Sequence, residues 1–275
     1  MFSRLGIIFT LAPIFRGFIA MLVCGASFPL CGVMVLRLDL IPMRYMLMHG
    51  VILGGAISLA LNLPVIPVSV IINILLIFLM LSFTKSQSFG FSGASAATMV
   101  LSMALASIIM HVADVPAKDT LSMMWGSPYA LTKNDLITLA VLALILISYL
   151  VFNFKNILAL FYNREIAVSL GVRVKFHYTF MVLIIALIVA LAMKLLGAFL
   201  IDSLLILPVL TGSCLCGRKS AGMKKLFIFS SIVGFIFSIV GYCLAVMLNW
   251  PPAATISMVA GAGYMLSLLF RIGGK

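Results

Sequence analysis

Side chains able to do chemistry are scarce in this sequence, so each can be weighed on its own. Gly90-Phe91-Ser92-Gly93-Ala94 sets a serine between glycines. Such a serine becomes a nucleophile if a histidine from another helix takes its proton. His111 stands in the same apolar run as Ser92, and a helix rising 1.5 Å per residue would hold the two roughly 28 Å apart. His177 opens a later run at its polar edge, where it is expected to be wetted. Neither makes a dyad deep in a membrane, and residues 90–97 read better as small side chains that let helices approach closely. Met43, Met46, Met48 and His49 together resemble a soft site suited to copper(I). The chain has 18 methionines, however, scattered through its apolar runs as flexible filler. Cys214 and Cys216 form a Cys-x-Cys pair without the two further ligands a zinc site wants. Cys24, Cys31 and Cys243 fall within apolar runs and read as small packing residues. His111, Asp114 and Asp119 could receive an ion on a loop, although solvated loop residues are the simpler reading. Asp202 stands apart, since an acid inside an apolar span is costly and marks either a pathway or a partner. The chain has no His-Glu-x-x-His motif, no Gly-x-Gly-Asp and no phosphate-binding loop. Any ATP hydrolysis must therefore come from another chain.

The elements that position these residues are set by composition. Of 275 residues, 64% are hydrophobic and only 9% charged, with a mean hydropathy of +1.31. Soluble domains keep about a quarter of their residues charged. Apolar runs long enough to cross a bilayer recur at about 17–36, 41–60, 65–83, 92–112, 136–154, 177–193, 195–216, 226–247 and 253–270. They are continuous rather than alternating, which implies helices and not a barrel. The expected fold is all-α, a polytopic transmembrane bundle of eight or nine spans; the stretch around Lys194 is either a broken helix or two crossings. Residues 1–16 are expected to be an interfacial or extramembrane segment, and residues 17–275 a single transmembrane domain. Leu22-Val23-Cys24 loosely resembles a lipoprotein signal, but the apolar run continues to Val35, so it is read as the first helix.

Charge gives orientation. The net charge of +12 contains no run of five basic residues, which argues against nucleic acid as a partner. The basic residues alternate between loops instead. Arg37, Lys85, Lys155, Arg164, Arg173, Lys175, Arg218, Lys219, Lys224, Lys225, Arg271 and Lys275 fall on one side. Arg4, Arg16, Lys118, Lys133 and Lys194 fall on the other, with Arg44 inside a span. By the positive-inside rule the first side is cytoplasmic.

The longest cytoplasmic stretch, about 155–176, contains Phe161-Tyr162-Asn163-Arg164-Glu165-Ile166-Ala167-Val168-Ser169-Leu170-Gly171. Asn163 can cap a short helix, Glu165 favours its positive end and Gly171 can end it. This segment resembles the coupling region of the zinc, manganese and iron group of ABC importer permeases, with Glu165, Ala167 and Gly171 standing as Glu-x-Ala-x-x-x-Gly. Three further stretches are similar to that family, in the same order: Leu121 through Ser127 with Asn134-Asp135-Leu136, Leu196 through Pro208, and Asn249 through Ile256. Together they cover roughly residues 17–270.

The resemblance implies an ABC importer permease fold and a membrane subunit that is not itself an enzyme and binds no cofactor of its own. It implies a divalent transition-metal ion as substrate, moved into the cytoplasm across the bacterial inner membrane. Cytoplasmic ATPase subunits, an extracytoplasmic metal-binding protein, a second permease subunit (identical or paralogous) and membrane lipid are the implied partners. The family also carries an Asp and a His four residues apart in its second span. Here His49 falls on the His, but the Asp position is Tyr45. Asp202 is the acid expected to supply the lost charge, with His49 and Asp202 facing the ion pathway. A secondary transporter driven by an ion gradient is the alternative, and such proteins usually show internal repeats and paired intramembrane acids. No convincing repeat is visible here.

Overall fold

Inside hydrocarbon every backbone amide must find its partner within the chain, and helices do this without a sheet edge. The computed structural model describes residues 11–86, 90–116, 118, 126–216 and 222–273. Among these residues the regular elements are all helical. We number them α1 (Ala12–Arg37), α2 (Ile41–Leu61), α3 (Val65–Ser86), α4 (Gly90–Val112), α5 (Lys133–Tyr162), α6 (Arg164–Ser169), α7 (Val174–Leu196), α8 (Ala198–Leu215), α9 (Met223–Leu248) and α10 (Pro252–Gly273), with one short 3-10 turn at Pro128–Ala130. Nine of the ten are long and apolar enough to cross a membrane, and α6 is the exception.

The chain divides into two compact units. The first takes in residues 11–38, 127–181 and 199–273; the second takes in residues 39–126 and 182–198. In the first, α1 packs against α9 and α5, and α9 also packs against α10. Small residues let α1 and α9 meet closely: a Cβ on Gly25 would lie 2.6 Å from Ser238 Cβ, and one on Gly234 would lie 2.5 Å from the Gly25 carbonyl oxygen. Tyr242 of α9 donates a hydrogen bond to the Ile14 carbonyl at 2.7 Å, and the Arg16 guanidinium donates to the Leu131 carbonyl at 3.3 Å. In the second unit α2 packs against α3 and α4.

Two boundaries differ from those expected, and a third takes one of the two forms allowed for it. α1 begins at Ala12, so the segment anticipated over residues 1–16 lies mostly outside the described residues. α5 runs past residue 154 to Tyr162, because its extension remains packed: Ile157 is buried and the rings of Phe161 and Phe227 stack at 6.4 Å. The break near Lys194 resolves into two helices, α7 and α8, separated by Gly197 alone.

That break is tied to a distant loop of the second unit. Gly126 and Gly197 both adopt left-handed backbone, at φ +53° and +92°. A Cβ on Gly126 would sit 2.5 Å from Gly197 Cα and closer still to its amide nitrogen. Two stretches singled out separately in the sequence thus meet backbone to backbone. The basic-residue distribution assigned both loops to the same, extracytoplasmic side.

Candidate functional site

The segment between α5 and α7 is built as the sequence suggested. Asn163 leaves helical geometry, and its side-chain oxygen accepts from the Glu165 amide at 2.7 Å and the Ile166 amide at 3.3 Å. Those are donors that a helix start leaves without partners. Glu165 occupies the first turn, where the dipole favours its charge. At the other end Gly171 takes φ +75°, its amide bonded to the Val168 carbonyl at 2.9 Å, and the Val172 amide bonds the Ala167 carbonyl at 3.0 Å. This reversal closes the last turn, and glycine enters it without the strain other residues meet.

The two faces of α6 differ. Ala167 is fully buried, while Ile166, Val168 and Leu170 are 42%, 60% and 69% exposed. The six-residue helix and its C-cap Leu170 therefore hold three apolar side chains outward on what the charge pattern makes the cytoplasmic side. Glu165, Ala167 and Gly171 come together here as start, inner contact and end of one element.

Both flanking helices are braced to each other. His177, near the start of α7, is 7% exposed, with Nδ1 at 3.0 Å from Tyr149 Oη and Nε2 at 3.4 Å from Asn156 Nδ2. This corrects the expectation of a wetted histidine. Residues 155–162 continue as helix beyond the expected end of the span and bring Asn156 up to the ring. α6 is therefore carried on two helices joined through a buried polar contact. Asn153, between Tyr149 and Asn156, departs from helical geometry at φ −112°, ψ 17°.

The two proposed pathway residues belong to different units. His49, on α2 in the second unit, is half-buried, and its Nδ1 is buried without a hydrogen-bond partner. Asp202, on α8 in the first unit, is also half-buried, about one turn in from the helix start. Beside it Ser203 and Ser257 of α10 meet at 3.0 Å through their hydroxyls. Arg44 is fully buried, and its guanidinium lies 4.4 Å from the ring centroid of Tyr45. Met43, Met46 and Met48 are buried packing residues, in keeping with the filler reading. Among the described residues no three His, Cys, Asp or Glu side chains cluster as a metal site, and Asp119 lies outside them.

Two polar residues escaped the sequence reading. Ser69 and Asn73 of α3 are buried, and neither the serine hydroxyl nor the asparagine amide has a hydrogen-bond partner. They pack on Gly54 and Gly50 of α2, respectively, and Gly50 follows His49 directly. Asn73 is also the polar lining residue of a cavity of about 120 Å³ between α3 and α7. The signal was a Ser-x-x-x-Asn pair one turn apart in an otherwise apolar helix.

Ser92 and His111 stand near opposite ends of α4, which leaves the serine without that base. None of the five cysteines is in a disulfide. Of the family-like stretch before Ser127, residues 121–125 lie outside the described residues. Asp135 completes a reciprocal cap with Thr132 at the start of α5, accepting from the Thr132 amide at 2.9 Å.

Comparison with known proteins bears on all of these elements. The profile described as the ABC 3 transport family matches residues 11–271. The high-affinity zinc uptake system membrane protein ZnuB of Buchnera aphidicola is 28% identical over 214 residues, covering 76% of this chain and 79% of that protein. The manganese transport system membrane protein MntC of Listeria monocytogenes is 25% identical over 152 residues, covering 55% of this chain and 53% of the relative. The structure of PsaBC from Streptococcus pneumoniae in complex with Fab superposes with a TM-score of 0.82 at 19% identity, over 97% of this chain and 95% of that one.

Proposed function

The chain belongs to the ABC 3 transport family, and on that premise we infer that it is the membrane-spanning permease subunit of an ATP-driven importer for a divalent transition-metal ion. It is a multi-pass protein of the bacterial inner membrane, and a transport subunit rather than an enzyme. Zinc and manganese appear in the names of its relatives, and iron completes the class of substrate considered. The observation that carries the reading is the family match over residues 11–271, which takes in every membrane-crossing helix and α6.

The partners follow from what this chain lacks and what it presents. It has no phosphate-binding loop, so separate cytoplasmic ATPase subunits supply the hydrolysis. The outward apolar side chains of α6 suit a groove on such a subunit, and Ala167 seats the helix on the bundle. When the ATPases close, α6 moves with them, and its caps transmit the motion to α5 and α7 as a rigid element. A second permease subunit completes the pore, and an extracytoplasmic binding protein delivers the ion. His49 and Asp202 are the candidate ion contacts along the pathway, holding the ion weakly enough for it to leave.

The test is co-purification with an ATPase subunit, followed by metal-stimulated ATP hydrolysis in lipid vesicles with the binding protein. Gly171→Pro is expected to abolish stimulation while the protein still inserts and folds. Uptake that follows an imposed proton or sodium gradient, with no associated ATPase, would replace this reading with a secondary transporter.

A further inference from the structure

A groove of about 370 Å³ opens on the first unit between α1, α5 and α9. Leu30 of α1, Ile147, Val151 and Phe154 of α5 and Phe227 of α9 supply apolar walls, and Lys224 of α9 stands at one end. Its ammonium lies 5.8 Å from the Phe154 ring centroid. Lys224 is the charged residue of the lining, and no lining residue is acidic; Lys225 and Lys155 follow Lys224 and Phe154 in sequence. The charge pattern makes this end cytoplasmic. From Ile147 to Phe154 a helix rises about 10 Å, against about 15 Å of hydrocarbon in one leaflet. The groove thus starts at headgroup depth and runs most of the way to the bilayer centre.

We propose that this groove is a binding site for one anionic phospholipid of the cytoplasmic leaflet, with an acyl chain along α5 and the phosphate at Lys224. The walls alone select nothing, because a lipid tail gains little by exchanging other tails for leucine and phenylalanine. Selection comes from charge, about fivefold per lysine engaged near the surface. A second copy of this chain fits less well. The chain holds 18 basic and 6 acidic residues, so a copy carries net positive charge rather than the anion that suits Lys224.

The full-length chain, in mild detergent, is titrated with phosphatidylglycerol and phosphatidylcholine of matched acyl chains and read by native mass spectrometry. Preferential retention of phosphatidylglycerol is expected, falling about fivefold in Lys224→Ala. Val151→Trp, which fills the groove and leaves the lysines in place, should lower retention of both lipids. Equal retention of the two lipids, or a preference unchanged in Lys224→Ala, overturns the proposal. So does displacement by free glycerol phosphate, which would make this a soluble-phosphate site. Efficient disulfide cross-linking between copies carrying Val151→Cys would show that a second subunit occupies the face. None of these readouts depends on transport, so they stand whatever ion the protein carries.

Discussion

Gly126→Ala isolates the one place where two family-like stretches meet. The residue sits at φ +53°, in left-handed backbone. A non-glycine residue pays about 1–2 kcal/mol for that geometry. Its new methyl would also lie 2.5 Å from Gly197 Cα and nearer still to the Gly197 amide nitrogen. Ordinary carbon–carbon contact is about 3.5–4 Å, so at least roughly 1 Å of separation must open between two backbones. Neither neighbour is the end of a flexible side chain that could swing away. Overpacking of this kind costs about 1–3 kcal/mol, giving a total near 2–5 kcal/mol. Against a typical stability of about 5–15 kcal/mol this is a large fraction. Two controls divide the sum. Gly171→Ala carries the strain of φ +75° with open space around the methyl. Gly222→Ala carries neither, since its φ is −57° and nothing lies within 4 Å. Equilibrium unfolding in mixed micelles should rank the three variants Gly126, Gly171, Gly222 from most to least destabilised. If Gly126→Ala unfolds with Gly171→Ala, the backbone contact contributes nothing and the argument for a close approach fails.

Asp202→Asn should abolish metal-dependent growth while the protein still accumulates in the membrane; unchanged uptake would remove Asp202 from the pathway. Asn73→Leu should be neutral or stabilising by about 1–3 kcal/mol, since it deletes a buried amide that has no partner. Lost transport in a stable Asn73→Leu protein would instead give the amide a role in moving the ion. His177→Phe removes the contacts to Tyr149 and Asn156 and should cost about 1–3 kcal/mol. It should also lower the ions moved per ATP hydrolysed, whereas a histidine serving only local packing would leave that ratio intact.

Much of the architecture was legible because lipid restricts the chain to few options. The spans follow from hydropathy, eight or nine being expected and nine found among the described residues, and Asn163 and Gly171 announced the two ends of α6. What stayed hidden depends on contacts between residues far apart in the chain. The extension of α5 to Tyr162 rests on packing with Phe227, and the burial of His177 on the arrival of Asn156. Neither partner is signalled by local composition. Gly126 and Gly197 stood in separate family-like stretches, and nothing local signalled that the fold would set one upon the other.

The departure at Tyr45 changes the electrostatics of the site. A carboxylate four residues before His49 would share a helix face with it and could hold a cation jointly with the imidazole. Here that position carries a neutral ring, and the ring faces the fully buried Arg44. A guanidinium 4.4 Å from the ring centroid brings positive charge to the place where the family has negative charge. The carboxylate that could share a cation with His49 is therefore missing from this helix face. Either a compensating acid lies on the route or the ion passes His49 with most of its water retained. Asp202 is the acid within a span available for the first course, which makes its charge worth more here than in a relative that keeps the carboxylate. Restoring the acid with Tyr45→Asp should therefore relieve the dependence on Asp202: uptake lost in Asp202→Asn should return in the double variant. If the double variant stays inactive, Asp202 is doing something that a carboxylate at position 45 cannot replace.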